Sequence, residues 1–397
     1  MSASQEDSAR TPHVYDVVVI GMGAAGVGIS VALMDAGIEN FVALERHEIG
    51  ASFIRWPAEM RFITPSFPTN SVGMLDINSV VIGTSPAFAL QVEHPTGRQY
   101  AAHLLGVAAA FKLPVIENID VSEIVPNEDL FHIETCSGRF TTKHVIWAGG
   151  DFQYPSANVF PGSQNCQHIG TISSYAELEG DDFIIVGGYE SGIDAAVNLA
   201  RRGKRVRLFD TGCPWKRDTS DPSVALSTYT LERMRTVSFI ENVELFPHTP
   251  ITSVTRRLEV NDGQTESLYE VTTLEGEVHQ TRTNPILAAG FAGSHTLIAD
   301  LFERRDDGFP LLNRHDESTL APGLFLCGPA VRHREAARRP PSLTATQPTA
   351  SDSRCRLAEL PPHSLQNAAV FRVPVFARCR LNAALCPHQL GGNLRVL

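Results

Sequence analysis

Residues 15–45, YDVVVIGMGAAGVGISVALMDAGIENFVALE, lay out strand, glycine turn, helix and strand in a single pass. Residues 17–20 form a continuous apolar run, the pattern of a strand covered on both faces in a parallel sheet. Gly21, Gly23 and Gly26 then give G-x-G-x-x-G. The first glycine permits the tight turn, the second lets backbone approach a pyrophosphate, and the third lets helix and strand pack closely. An apolar helix is predicted from Ala24 to Ala36, and the amides and dipole at its start favour phosphate charge. Gly37 stops it, and Phe41–Leu44 forms the next strand, ending at Glu45. A carboxylate there can accept both hydroxyls of an adenosine ribose. The glycine triplet alone says little. With strand, helix and acid in register around it, it points to a dinucleotide site rather than an ordinary glycine turn.

The chain has 397 residues, enough for two or three domains with sizeable cores. A net charge of −11 argues against a nucleic-acid partner held by charge. No apolar run is long enough to span a membrane. The first 13 residues are polar, lack the apolar core of a secretory signal, and are expected to form a frayed tail. Seven scattered cysteines without C-x-x-C suit a reducing cytosol, so a cytoplasmic protein is expected.

After Glu45, the small residues Gly50, Ala51 and Ser52 are followed by Phe53, Trp56 and Phe62, with Arg55 and Arg61 close by. This loop either lies along a bound ring system or packs as a Trp-Pro surface turn. Residues 67–98 read as a long irregular excursion and 100–113 as a helix. Residues 115–119, 130–135 and 140–144 alternate like strands of a small antiparallel layer. The last leads into an apolar strand closing in Ala148, Gly149 and Gly150, and 151–161 reads as a linker. A second unit starts at Phe183. FIIVGGYESGIDAAVNLARRGKRVRLFD repeats the plan with Gly187, Gly188 and Gly192, a helix to Arg201, and a strand ending at Asp210. Tyr189 interrupts this glycine turn. Asp210 favours a free ribose 2′-hydroxyl, whereas Lys216 and Arg217 could hold a 2′-phosphate or simply be a solvated pair. Residues 223–235 read as a helix and 243–282 as short alternating strands. Residues 285–290 (PILAAG) read as a buried strand, expected to return to the first sheet and make the second unit an insertion; 323–327 is a last strand.

Two nucleotide units, with AGG at 148–150 and AAG at 288–290 closing strands, resemble the two-dinucleotide flavoproteins. Within them the chain resembles the flavin-containing monooxygenase-like branch. Phe160, Pro161, Gly162, His168 and Tyr175 match its linker in kind, with longer spacings around His168. It is also similar to bacillithiol-disulfide-reductase-like proteins through GGYESGID at 187–194, RWP at 55–57 and DEST with PGLFLCGP at 316–329. The resemblance implies an α/β fold of two Rossmann-like, three-layer domains. An FAD domain (14–155 and 284–333) would carry an inserted NAD(P) domain (162–283). Gly21, Gly23, Ala24, Ala25, Gly26, Glu45, Arg46, Ser52, Phe53, Trp56, Val121, Ala148, Gly149 and Gly328 would line FAD, with Gly290 at the matching strand end. Gly187, Gly188, Tyr189, Glu190, Ser191, Gly192, Asp210, Lys216 and Arg217 would hold NADH or NADPH.

Those reductases carry a cysteine just before the third glycine of the first motif, where this chain has Ala25. That favours a monooxygenase-like enzyme, moving hydride from NAD(P)H to FAD and then oxygen to a small organic substrate. His168 is the candidate orienting group, or a structural histidine. The alternatives are an NAD(P)H-dependent disulfide or quinone reductase, with Cys166 near the domain junction, and a non-catalytic nucleotide sensor. A homodimer stays open. After His333 the composition turns to Arg, Pro, Ala and Ser without periodicity. Residues 334–397 are therefore expected to be disordered, as a change of reading frame near Arg334 would leave them.

Overall fold

The structure, a computed structural model, describes residues 13–67, 76–219, 224–261 and 264–331. The expected 1–13 tail apart from His13, the disorder and frame change expected from residue 334, and part of the 67–98 excursion lie outside these residues.

Strand β1 (Val14–Ile20) sits in the middle of the first sheet, and its last four residues are buried. Val17 and Val19 face one apolar core, and Val18 and Ile20 face the other. With cores on both sides, no position in this run can be polar without losing apolar contact. Helix α1 (Ala24–Asp35) packs into the first core. Strand β2 (Phe41–Leu44) lies parallel to β1. The chain continues through α2 (Ala51–Ile54), α3 (Pro86–Leu90) and α4 (Gly97–Ala110). Helix α4 starts earlier than its apolar pattern indicates because Thr96 and Gln99 form a reciprocal capping box. Strands β3 (Val115–Ile116), β4 (Val121–Asn127), β5 (Leu130–Thr135) and β6 (Gly138–Trp147) complete this part, in the order β3-β2-β1-β6-β5-β4. One flank of β6 is divided: its first half pairs antiparallel with β5, its last three residues parallel with Leu324–Leu326.

The second sheet contains β7 (Gln167–His168), β8 (Asp182–Val186), β9 (Arg205–Asp210) and β10 (Val243–Pro247). Helices α5 (Glu190–Ala200), α6 (Thr228–Met234) and α7 (Val237–Asn242) belong to the same unit. An antiparallel meander, β11 (Ile251–Asn261), β12 (Gln264–Thr273) and β13 (Val278–Thr281), follows. Strand β14 (Ile286–Leu287) then inserts between β8 and β7, and β15 (Leu324–Leu326) closes beside β6.

Two expectations need correction. Residues 285–290 do not return to the first sheet: β14 pairs parallel with β8 and β7. A run buried on both faces carries no information about which parallel sheet receives it. Residues 115–119 do not join the antiparallel layer either. Val115–Ile116 runs parallel to β2, and β4 takes the antiparallel place beside β5.

The two units meet through a carboxylate. Glu59, from the first, accepts from Ser174 Oγ (2.8 Å), the amides of Tyr175 (3.0 Å) and Ala176 (3.1 Å), and Arg202 Nη2 (2.8 Å). Burial pushes its pKa up, but the bonds from Ser174 and the backbone outweigh that and hold it below the usual value. A second contact stacks His94 on Tyr229 at 3.8 Å between ring centroids. Inside the second unit, Arg233 pairs with the buried Asp194. Burial raises the Asp194 pKa and Arg233 opposes it.

Because charge-assisted hydrogen bonds contribute more than neutral ones, Glu59→Ala is expected to lower unfolding stability by about 2 kcal/mol in chemical denaturation at pH 7. The folded pKa is lowered, so the Glu59 contribution is complete above the unfolded-state pKa and is lost as pH falls through the folded one. Glu59→Gln should therefore flatten the acid limb of the stability profile. An unchanged limb would deny the clasp its charge.

Candidate functional site

At the end of β1 the chain turns sharply. Gly21 has φ +95°, donates to Leu44 O (2.8 Å), and is so close to the β6 end that a Cβ would lie 2.7 Å from Ala148 O. A Cβ on Gly26 would lie 1.8 Å from Gly21 O, so helix and turn touch backbone to backbone. At Gly23 an added Cβ meets nothing within 4 Å. The turn is therefore tight behind and open in front.

Glu45 is buried, 6% exposed, and accepts from the amides of Met22 (2.6 Å) and His47 (2.9 Å). Its carboxylate pins the glycine turn to the end of β2 at the rim of a cleft. Gly21, Gly23, Glu45, Arg46, Ser52, Val121, Ala148 and Gly149 of the sequence-derived set line that cleft together. Ala24 is buried in α1, and the Ala25 Cβ lies 3.5 Å from where a Cβ on Gly328 would stand. Phe53 is different: it is core, packed on Trp56 (5.2 Å), Phe62 (5.7 Å) and Tyr100 (4.8 Å between centroids). Trp56 continues this aromatic row to Phe152 at 6.2 Å. Gly290 stands apart, at the exit of β14, with φ +82°.

Sequence reading missed Gln153 and Tyr154, which it passed over as linker. Gln153 Oε1 accepts from Arg46 Nη2 (2.7 Å) and Arg55 Nη1 (2.6 Å), while its amide donates to Ser52 Oγ (3.1 Å). The Arg46 guanidinium also lies over the Tyr154 ring at 5.5 Å. The two cations share this one neutral acceptor, and Glu45 and Asp120 also line the cleft. The His47 pKa is lowered first by burial and then by Arg55 and Arg46, against the opposing charges of Glu45 and Asp120. Only the D-F-Q-Y composition, richer in side-chain functions than a spacer needs, signalled these residues.

The second cradle is built the same way. Gly187 has φ +106° and donates to Phe209 O (2.8 Å), and a Cβ on Gly192 would lie 1.8 Å from Gly187 O. Asp210 accepts from the amides of Gly188 (2.8 Å), Gly212 (2.6 Å) and Cys213 (2.8 Å), as Glu45 does from Met22 and His47. A Cβ on Gly188 would lie 2.4 Å from the Trp215 ring. Tyr189 and Glu190 stand at the start of α5, Ser191 follows within it, and Lys216 and Arg217 are exposed beyond the end of β9.

His168, 6% exposed, uses both ring nitrogens on the fold. Its Nδ1 accepts from Gly170 N (3.1 Å), which leaves Nε2–H to donate to Gly290 O (3.0 Å). Burial lowers its pKa against the opposing effect of the Gly290 bond. It is neutral near pH 7 and ties β7 to the end of β14.

Two glycine cradles of one build, each at the carboxyl ends of parallel strands, define a two-nucleotide architecture. The chain belongs to the pyridine nucleotide-disulphide oxidoreductase family, whose sequence profile matches residues 18–328. The family uses FAD and NAD(P)H. An uncharacterized oxidoreductase, CzcO-like, of Geobacillus kaustophilus is 24% identical over 195 residues, covering 47% of this chain and 52% of its own. A ferredoxin–NADP reductase of Lysinibacillus sphaericus is 25% identical over 201 residues, covering 49% and 50%. The chain thus spans about half the length of the curated relatives it matches. The fold resembles that of bacillithiol disulfide reductase from Staphylococcus aureus (TM-score 0.62, 17% identity, 82% of this chain and 93% of that one). It also resembles flavin-containing monooxygenase from Stenotrophomonas maltophilia (0.58, 16%, 78% and 89%). Among the described residues no helix is long and apolar enough to cross a membrane.

The first cradle fits FAD: it is open at Gly23, has an acid at the strand end, and carries Arg46, Arg55 and Ser52 at its rim. Gly23→Ala should leave the apo protein's melting temperature nearly unchanged while weakening FAD binding at least tenfold, read by flavin fluorescence. Gly26→Ala should fail at folding instead, costing several kcal/mol through the backbone clash. Equal effects of the two would contradict the open-front, tight-back geometry.

Proposed function

We propose that the chain is an FAD-dependent NAD(P)H oxidoreductase of the monooxygenase-like kind, acting on a small organic substrate. The observation carrying this reading is the state of its thiols. Passing electrons to a disulfide requires a thiolate placed beside the flavin. The position next to Gly328 holds the Ala25 methyl. Burial pushes Cys327 and Cys166 up to about 12, and Cys213 is 2% exposed. Cys136 lies in the turn between β5 and β6. Among the described residues no thiol is both exposed and placed at the first cradle.

FAD supplies the hydride-accepting and oxygen-reacting chemistry when bound. The chain's own residues hold and shield it. Glu45 fixes the glycine turn, Arg46 and Arg55 supply charge for the phosphates, and the buried Phe53 and Phe62 back the Trp56–Phe152 row. Glu59 and the His94–Tyr229 stack join the two units.

FAD-loaded protein should oxidise NADH or NADPH well above the free-flavin background, and label from ¹⁸O₂ should appear in an organic product. Cys166→Ser should retain the wild-type rate within twofold, with no acceleration by small disulfides. Turnover that depends on a disulfide and is lost in Cys166→Ser would replace this reading with the reductase one.

A further inference from the structure

Aligned in order, Gly187 corresponds to Gly21, Gly188 to Met22, Tyr189 to Gly23 and Gly192 to Gly26. Gly23 and Tyr189 each immediately precede their helix, and their backbones agree: φ −78°, ψ −163° against φ −84°, ψ −168°. The difference between the two positions is therefore the side chain. A Cβ at Gly23 would project into open space at the front of the turn, where backbone must come close to a pyrophosphate. Tyr189 carries a phenol from that position, and its hydroxyl donates to Ala225 O at 3.1 Å, in the segment that leads into α6.

Its neighbour strengthens the closure. Where the first cradle has Ala24, the second has Glu190, whose carboxylate accepts from Ser227 N (2.5 Å) and Thr230 Oγ1 (2.6 Å). A negative side chain at this helix start also raises the electrostatic cost of a diphosphate there. Ser227 caps α6, and Tyr229 in the first turn of α6 is the residue stacked on His94. The arm that Tyr189 closes against thus also carries one of the contacts between the two units.

Building on the proposed NAD(P)H reading, we infer that Tyr189 gates the second cradle. The nicotinamide dinucleotide reaches the α5 amides only when the ring swings off Ala225. The gate sets nucleotide affinity and leaves the first cradle untouched.

The test is calorimetric titration of the oxidised, FAD-loaded full chain with NAD⁺ and with NADP⁺, which bind without reducing the flavin. Tyr189→Gly and Tyr189→Ser both supply residues suited to the position before a helix. Each should bind at least one of the two nucleotides about tenfold more tightly than wild type. Tyr189→Phe keeps the ring but loses the Ala225 bond, so its gain should be smaller. FAD content and melting temperature should match wild type in all three. Unchanged or weaker binding in both the Gly and Ser variants, or no heat with either nucleotide in any variant, overturns the gate. Those results stand apart from the oxidase measurement: a wild-type protein that turns over NAD(P)H while the Tyr189 variants bind no better sinks the gate alone.

Discussion

Peptide groups pack directly on one another where α1 leaves the first turn and α5 leaves the second. In each turn the final glycine lies against the carbonyl of the first, at a distance that leaves no room for a methyl group. That contact sets the start of the helix against the end of the strand, and so decides where helix amides point. The acid at the end of the neighbouring strand then closes the arrangement by accepting an amide from inside the turn. Steric exclusion and one charged hydrogen bond together define each cradle, and neither requires the ligand to be present.

The two copies diverge in front of this shared frame. The first presents bare backbone flanked by guanidinium groups, the second a phenol and a carboxylate. The rear of a nucleotide turn is governed by packing and cannot vary. Its front is governed by what the protein must admit. The same frame can therefore serve two affinities within one chain, with the difference confined to adjacent side chains.

Much of this was legible in the sequence because glycine spacing and uninterrupted apolar runs are direct consequences of close packing. Gly21, Gly26, Gly187 and Gly192 could be assigned because no other residue fits there. Sheet membership could not be read the same way. Ile286 and Leu287 are buried on both faces wherever they sit, so their pairing with β8 was invisible. Gln153 was invisible for another reason: its role arises from three residues far away in sequence that converge on one amide. The linker histidine, His168, looked like chemistry because a titratable group stood at a junction. Its two nitrogens turn out to be ordinary fold hydrogen bonds, which sequence position alone cannot distinguish from a catalytic placement.

The divided flank of β6 bears on how the chain reaches this state. Val145–Trp147 acquires its second neighbour only from Leu324–Leu326, after the entire second sheet and its meander have been made. During synthesis from the N-terminus, the first sheet waits with an unpaired apolar edge while a complete domain emerges ahead of its last strand. Such long-range pairing slows folding. The interval makes that exposed edge the segment most open to mispairing with another nascent copy.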